Sequence, residues 1–165
     1  MLLTLIFNLV LLLDEFEDYD VFISHRGPDT KTGFVGFLYD GLGYAGLRPF
    51  LDCVSIDKGQ DSWTCIEHAI KRTPIAIIIF SEKYAQSEWC LRELHLILET
   101  PGVKVLPVFY KIEPWEVRFL EKGQLSEGFA KLKERHDATL IDMWRLDLER
   151  ASKWNGWVYG DEDKR

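Results

Sequence analysis

The sequence predicts an α/β fold, in which a doubly wound parallel sheet is flanked by helices. Residues 74–80 begin with Pro74 and continue as an unbroken run of aliphatic, mostly β-branched side chains that ends in an aromatic one. A strand without a polar face suits the centre of a parallel sheet that is covered on both sides. Short β-rich runs also alternate along the chain with segments of helical periodicity, which indicates right-handed β–α–β crossovers.

The first β–α unit is predicted from local patterns. Residues 19–24 form a short β-rich strand that leads into a turn at Gly27 and Pro28. A helix is expected over about residues 32–45, with Asp29 or Thr30 as its cap. The expected inner face of this helix consists of Phe34, Phe37, Leu38 and Leu42.

The second unit begins with a short strand over residues 47–51. A polar loop follows over residues 52–60, and Asp61 or Ser62 is expected to cap a helix that ends near Arg72. The side chains expected to point inward from this helix are Trp63, Ile66 and Ile70.

The third unit starts with the apolar strand at residues 74–80. Ser87 can cap the helix that follows, because its hydroxyl accepts an otherwise unpaired backbone N–H. The leucines at helical spacing predict the buried stripe of this helix: Leu91, Leu94 and Leu98.

Glu93 is the unusual residue of that helix. Trp89 lies four residues before it and Ile97 four residues after it, so the three side chains share one face. A carboxylate between an indole and an aliphatic side chain loses part of its hydration once that face is covered. The spacing is compatible with a functional carboxylate, but by itself it favours an ordinary surface glutamate.

The last part of the chain predicts a fourth strand at residues 103–110. Pro107 lies inside it and cannot donate to the sheet, so this strand is expected nearer an edge or bulged. A turn-rich connection at residues 111–118 precedes helices at residues 125–136 and about 140–155. The last helix offers Met143, Trp144, Leu146, Leu148 and Trp154 for packing.

Composition excludes several classes of function. A formal net charge of −7 and the absence of a Lys/Arg run argue against nucleic acid as a partner. The four histidines are scattered without ligand spacing, so no metal site is predicted. Three cysteines, an odd number, indicate free thiols in a reducing compartment, and therefore the cytoplasm or also the nucleus.

The two ends of the chain differ from the folded part at residues 19–159. Residues 1–13 are strongly apolar but short for a membrane span, and acidic residues complete this extension to residue 18. A loosely packed helix or an unusual gene model explains the extension better than an imperfect signal or membrane anchor does. Residues 160–165 form a charged tail.

Three blocks of sequence resemble the signature of plant TIR (Toll/interleukin-1 receptor) domains, and the chain resembles a TIR-only protein or an isolated TIR fragment. The blocks are residues 19–30 (YDVFISHRGPDT), 81–94 (SEKYAQSEWCLREL) and 105–114 (VLPVFYKIEP), in the family's order and spacing. The resemblance covers about residues 19–159. It implies a flavodoxin-like sheet of about five strands.

The resemblance also implies an activity and a site. Many plant TIR domains are NAD⁺ nucleosidases that release nicotinamide together with ADP-ribose or cyclic ADP-ribose isomers in immune signalling. The family's catalytic glutamate corresponds to Glu93, and its BB-loop to residues 52–60, which include Asp52 and Lys58. The mouth of the site is implied at Ser24, His25, Arg26 and Gly27. NAD⁺ is then a substrate, and no separate cofactor is implied.

The chemistry of the residues fits this activity. Nicotinamide leaves NAD⁺ as a neutral base, so one carboxylate that stabilises the ribosyl cation is sufficient. Trp89 can supply a low-dielectric wall, Arg26 can hold the pyrophosphate bidentately, and Lys58 is a weaker candidate for the same role. The sequence departs from the family at Gly36 and Phe37, where many members carry the Ser-His used in self-association, and at Pro28, where a glutamate is common.

Other functions remain open or are disfavoured. A non-catalytic module that binds copies of itself or other TIR proteins fits the same resemblance. A phospho-receiver domain needs an acidic pair after the first strand, where this chain has Ser24, His25 and Arg26. The sequence contains neither GxGxxG nor a glycine-rich loop ending in Gly-Lys-Ser/Thr, which disfavours Rossmann and P-loop nucleotide sites.

Overall fold

The computed structural model describes residues 19–30, 33–51 and 61–160. In this part of the chain, a sheet of five parallel strands has the order β2-β1-β3-β4-β5. The strands are β1 Val21–His25, β2 Pro49–Phe50, β3 Ile75–Phe80, β4 Lys104–Tyr110 and β5 Trp157–Tyr159. The predicted parallel sheet with β3 at its centre is therefore confirmed.

Helices connect consecutive strands and cross over the sheet. Their bounds are α1 Gly27–Thr30, α2 Phe34–Tyr44, α3 Ser62–Arg72, α4 Glu88–Glu99, α5 Pro114–Arg118, α6 Ser126–Lys133 and α7 Ala138–Ser152. A single 3₁₀ turn, Tyr84–Gln86, stands between β3 and α4. Among the described residues, none of the helices combines the length and the apolar character needed to cross a bilayer.

The two faces of the sheet are covered unequally. Alternate residues of β1 and β3, such as Phe22 and Ile78, join the larger core with α3, α4, α6 and α7. The intervening residues, such as Ile23 and Ile79, form a smaller cluster with Val35 of α2. This alternation follows from the two-residue period of a strand, so an all-apolar strand is needed wherever both faces are buried.

Of the residues predicted to cap helices, Ser87 does so, whereas Asp61 and Thr30 make other hydrogen bonds. Ser87 caps α4 as predicted, since its Oγ accepts the backbone N–H of Cys90 at 3.3 Å. Asp61 occupies the N-cap position of α3, but its carboxylate accepts from the Thr64 hydroxyl instead of a backbone N–H. The Thr30 hydroxyl donates to the carbonyl of Arg26 and does not cap α2, whose N-cap position is Gly33.

Several predicted details are wrong. Phe37 was expected on the inner face of α2 but is 80% exposed, and Val35 is the buried residue there. The predicted turn at Gly27 and Pro28 is the start of the short helix α1. The connection at residues 111–118 contains α5, which Pro114 begins and a capping box at Glu113 and Glu116 stabilises.

The fifth strand, β5, was not located in the sequence. It pairs with Val108–Tyr110 of β4, so the part of β4 up to Pro107 has β3 as its only strand neighbour among the described residues. The missing N–H of Pro107 therefore costs no hydrogen bond to β5. This agrees with the prediction that the strand containing Pro107 lies nearer an edge of the sheet. Trp157 of β5 is 59% exposed. A strand this short, without a buried apolar run, gives no clear pattern in the sequence.

Gly156 allows β5 to approach β4. A Cβ atom at this position would lie 2.3 Å from the carbonyl oxygen of Pro107 and 2.8 Å from its Cγ. We expect Gly156→Ala to lower the free energy of unfolding by about 1–3 kcal/mol, because the backbone must move to relieve the clash. Urea denaturation measures this, with Gly160→Ala as the matched control because no atom lies within 4 Å of its added Cβ. Equal stability of the two variants would contradict the close approach.

Candidate active site

The carboxyl ends of the central strands meet at one edge of the sheet, which is where ligands bind in open α/β folds. β1 ends at His25 and β3 at Phe80, and the two strands are hydrogen-bonded neighbours. The segment after β3 turns through the 3₁₀ turn at Tyr84 and enters α4 at Glu88. This path brings Glu93 of α4 next to the last residues of β1.

Glu93 is enclosed by the protein and only 4% exposed. Its neighbours along the same face of α4 differ, since Ile97 is buried whereas Trp89 is 36% exposed. A buried carboxylate loses hydration, which costs several kcal/mol unless hydrogen bonds replace it. The predicted partial desolvation of Glu93 is therefore confirmed and is stronger than the spacing alone indicated.

The Glu93 carboxylate is linked to two buried hydroxyl groups, to Ser24 directly and to Tyr84 through Ser24. The Ser24 hydroxyl donates to Glu93 Oε2 at 2.6 Å. Ser24 Oγ also lies 2.9 Å from the hydroxyl oxygen of Tyr84, which is in turn 3.2 Å from the carbonyl oxygen of Cys90. Ser24 and Tyr84 are both fully buried, so this chain of contacts is shielded from solvent.

Burial raises the pKa of Tyr84 well above its usual value. Desolvation is the largest cause, and the nearby Cys90 and Glu93 side chains raise it further through charge. Tyr84 therefore remains a neutral hydroxyl, able to donate a hydrogen bond, throughout the physiological pH range. The sequence did not predict a role for Tyr84, which lies in a mostly polar segment at residues 81–87.

The segment after β1 carries the other predicted mouth residues. His25 Nδ1 is 2.8 Å from the Thr30 hydroxyl, which also donates to the Arg26 carbonyl at 3.1 Å, so α1 holds the His25 ring in place. Gly27 is the first residue of α1. The half-buried Arg26 has an Nε atom that is buried and lacks a hydrogen-bond partner among the described residues. Buried donors are nearly always paired, so this guanidinium has capacity for a ligand.

Trp89 belongs to an aromatic cluster that helical spacing did not predict. The indoles of Trp63 and Trp89 meet edge to face with centroids 5.4 Å apart. The Arg92 guanidinium lies 3.9 Å from the Trp63 ring centroid and 5.7 Å from that of Trp89. This cluster joins the first turns of α3 and α4, and it starts one helical turn from Glu93.

Two predicted site residues, Asp52 and Lys58, lie outside the described residues, as does the rest of the loop at residues 52–60. The structure thus brings together Ser24 and Glu93 by direct contact and places His25, Arg26 and Gly27 immediately after Ser24. Across the three described ranges, no group of three or more His, Cys, Asp or Glu side chains is arranged to hold a metal ion.

Comparison with known proteins gives consistent matches. A family model described as "TIR domain" matches residues 18–164. The chain is 38% identical over 153 residues to the disease resistance protein RUN1 of Vitis rotundifolia, a match that covers 87% of this chain and 11% of that protein. It is 46% identical over 96 residues to the probable 2′ cyclic ADP-D-ribose synthase BdTIR of Brachypodium distachyon, which covers 58% of this chain and 42% of that protein. The chain thus spans less than half the length of these curated relatives.

A solved structure also matches nearly the whole chain. The TIR domains in the activated Roq1 resistosome, which recognises the pathogen effector XopQ, superpose with a TM-score of 0.80 at 34% identity. The match covers 89% of this chain and 94% of that chain.

Proposed function

This chain belongs to the TIR domain family, and we propose that it is a NAD⁺ nucleosidase that cleaves the nicotinamide–ribose bond. The observation that carries the proposal is the buried Glu93 carboxylate, hydrogen-bonded to Ser24 at the ligand-binding edge of the sheet. A relative that shares 46% identity over 96 residues is named a probable cyclic ADP-ribose synthase, which supports NAD⁺ as the substrate class.

The proposed reaction proceeds by loss of nicotinamide. The bond between the ribose C1′ and the nicotinamide nitrogen breaks, and nicotinamide keeps the electron pair as a neutral base. The ribose becomes an oxocarbenium-like cation, which water or a hydroxyl of the same molecule attacks with loss of one proton. The products are ADP-ribose from water and a cyclic ADP-ribose isomer from the internal hydroxyl.

Glu93 is proposed to stabilise the developing cation. A negative charge held in a low-dielectric site interacts with a nearby cation far more strongly than it does in water, and its orientation costs nothing at the moment of reaction. Arg26 is proposed to hold the pyrophosphate, because its buried Nε is an unused donor next to this edge. Among the described residues, Cys65 and Cys90 form no disulfide bond, which fits action in the cytoplasm.

The function is tested by incubating the full chain with NAD⁺. Release of nicotinamide and identification of the ribosyl product by mass spectrometry support the proposal. The second candidate is a non-catalytic module that binds other TIR domains, and the exposed Phe37 of α2 favours such contacts. Binding of a second TIR domain without any nicotinamide release, even when copies are forced together, would favour that module.

We also propose that assembly of several copies controls the activity. Glu93 is only 4% exposed, so substrate reaches it only after residues outside the Ser24–Tyr84 hydrogen-bond chain move, and contacts between copies can stabilise that movement. The TIR domains that resemble this chain come from an activated resistosome, which supports control by assembly. We expect turnover per chain to rise with protein concentration and to reach a plateau once the chain is assembled.

A dilution series from about 0.1 to 100 μM, wide enough to span typical self-association constants, measures this. Sedimentation at the same concentrations reports the assembly state. Constant turnover per chain across a range in which the assembly state changes would show that assembly does not control the activity.

A further inference from the structure

The buried hydroxyl of Tyr84 takes no direct part in the proposed reaction, yet it lies two hydrogen bonds from the reacting carboxylate. Tyr84 Oη is 2.9 Å from Ser24 Oγ, and Ser24 Oγ is 2.6 Å from Glu93 Oε2. The Tyr84 ring also packs edge to face against Phe80 with centroids 5.0 Å apart, which holds it at the end of β3.

Counting protons assigns the direction of these hydrogen bonds. Ser24 and Tyr84 carry one hydroxyl proton each, whereas three contacts link Glu93, Ser24, Tyr84 and the Cys90 carbonyl. An ionised Glu93 has no proton to donate, so the Ser24 proton goes to Glu93. The contact between Ser24 and Tyr84 then forms only if Tyr84 is its donor.

The competing acceptor does not need the Tyr84 proton. The Cys90 carbonyl lies within α4, where a helical carbonyl accepts the backbone N–H four residues further along. Its distance from Tyr84 Oη is 3.2 Å, longer than the 2.9 Å to Ser24. When Tyr84 donates its hydroxyl proton to Ser24, it also polarises the Ser24 hydroxyl and strengthens the hydrogen bond from Ser24 to the carboxylate.

We propose that Tyr84 is a positioning residue that orients the Glu93 carboxylate through Ser24. This two-hydroxyl relay sets the angle at which the carboxylate meets the ribose, and it rests on the proposed role of Glu93. Tyr84 and Ser24 are fully buried, so both hydroxyls are held by packing before substrate binds. Substrate binding energy is therefore not needed to order the carboxylate.

Tyr84→Phe removes the terminal hydroxyl and keeps the ring that packs against Phe80. We expect kcat for nicotinamide release to fall about tenfold while KM changes by less than twofold, because orientation matters most in the transition state. The matched control is Thr73→Val, which deletes a buried hydroxyl whose bond to the Ala69 carbonyl lies at the opposite edge of the sheet. Thr73→Val is expected to lower the melting temperature and leave kcat unchanged.

A double variant separates the relay from a structural effect. If Tyr84 acts only through Ser24, then Ser24→Ala combined with Tyr84→Phe has the same kcat as Ser24→Ala alone. Losses that multiply in the double variant would show that Tyr84 acts independently of Ser24 and would overturn the proposal.

A measurement without turnover distinguishes failure of the relay from failure of the proposed enzyme function. In protein labelled with ¹³C at glutamate carboxyls, the Glu93 resonance is assigned by its disappearance in Glu93→Gln. We expect the Glu93 resonance to shift in Tyr84→Phe but not in Thr73→Val. In protein grown with 3-fluorotyrosine, whose hydroxyl is a stronger donor, we expect this resonance to shift in the opposite direction. The fluorotyrosine sample needs no substitution at Tyr84 and so remains decisive if Tyr84→Phe does not fold.

The outcomes are then distinct. A shifted resonance in a chain that does not cleave NAD⁺ supports the relay and contradicts the enzyme function. Cleavage of NAD⁺ with an unmoved resonance and an unchanged kcat in Tyr84→Phe overturns the relay alone.

Discussion

Replacing Glu93 by glutamine is expected to reduce kcat for NAD⁺ cleavage by about 10²–10³-fold, as the loss of one preorganised electrostatic group does in other enzymes. The glutamine amide keeps the shape of the side chain, and its carbonyl oxygen can still accept the Ser24 hydrogen bond that is 2.6 Å long in the wild type. Only the negative charge is lost. We therefore expect the melting temperature to change little, because the cost of burying a charge is removed and the hydrogen bond stays.

The measurement is steady-state release of nicotinamide, at a protein concentration high enough for turnover per chain to have reached its plateau. Glu99→Gln is the matched control, since Glu99 is on the same helix α4 and its carboxylate forms an exposed ion pair with Arg150 at 3.3 Å. That control is expected to retain full activity. Undiminished cleavage by Glu93→Gln would refute the catalytic role of Glu93 and leave the interaction module as the better explanation.

Arg26→Ala is expected to raise KM for NAD⁺ by about 10–100-fold, because a charge-assisted bidentate bond to a phosphate contributes about 1.5–3 kcal/mol. The buried Nε of Arg26 has no partner among the described residues, so removing this side chain also removes an unpaired donor. Such a donor costs stability. We therefore expect the melting temperature of the variant to be equal to or higher than that of the wild type.

A residue that weakens substrate binding when removed, yet does not stabilise the fold, has a functional rather than a structural role. Arg26→Lys keeps the charge and loses the planar fork, and it is expected to give an intermediate KM. Arg145→Ala, at an exposed ion pair with Asp142, controls for the loss of a positive charge. An unchanged KM in Arg26→Ala, or a fall in melting temperature without any effect on KM, would exclude phosphate binding by Arg26.

Local features of the chain could be predicted because their causes are local. The apolar run at residues 74–80 has no polar face, so only a central strand buries it, and β3 occupies that position. Ser87 caps α4 because its hydroxyl and the Cys90 N–H are three residues apart, a distance that the helix geometry sets. Leu91, Leu94 and Leu98 are buried as their helical spacing indicated.

Features that depend on which surfaces meet were predicted less well. Phe37 follows the apolar pattern of α2, but the pattern does not show how wide a strip of the helix the sheet covers, and Phe37 lies outside it. The strand β5 carries the exposed Trp157, so its position at the sheet edge comes from pairing with β4 and not from a buried run of its own.

The identity of Glu93 as a candidate site residue followed from sequence motifs, because the order and spacing of three blocks resembled a known family. Its environment did not follow from them. Ser24 is 69 residues from Glu93 and 60 residues from Tyr84 along the chain, and these three side chains meet because β1 and β3 pair in one register while α4 packs against β1. Periodicity along a chain specifies which face of an element is apolar, whereas contacts between distant residues depend on strand register and helix packing, which exist only in the folded molecule.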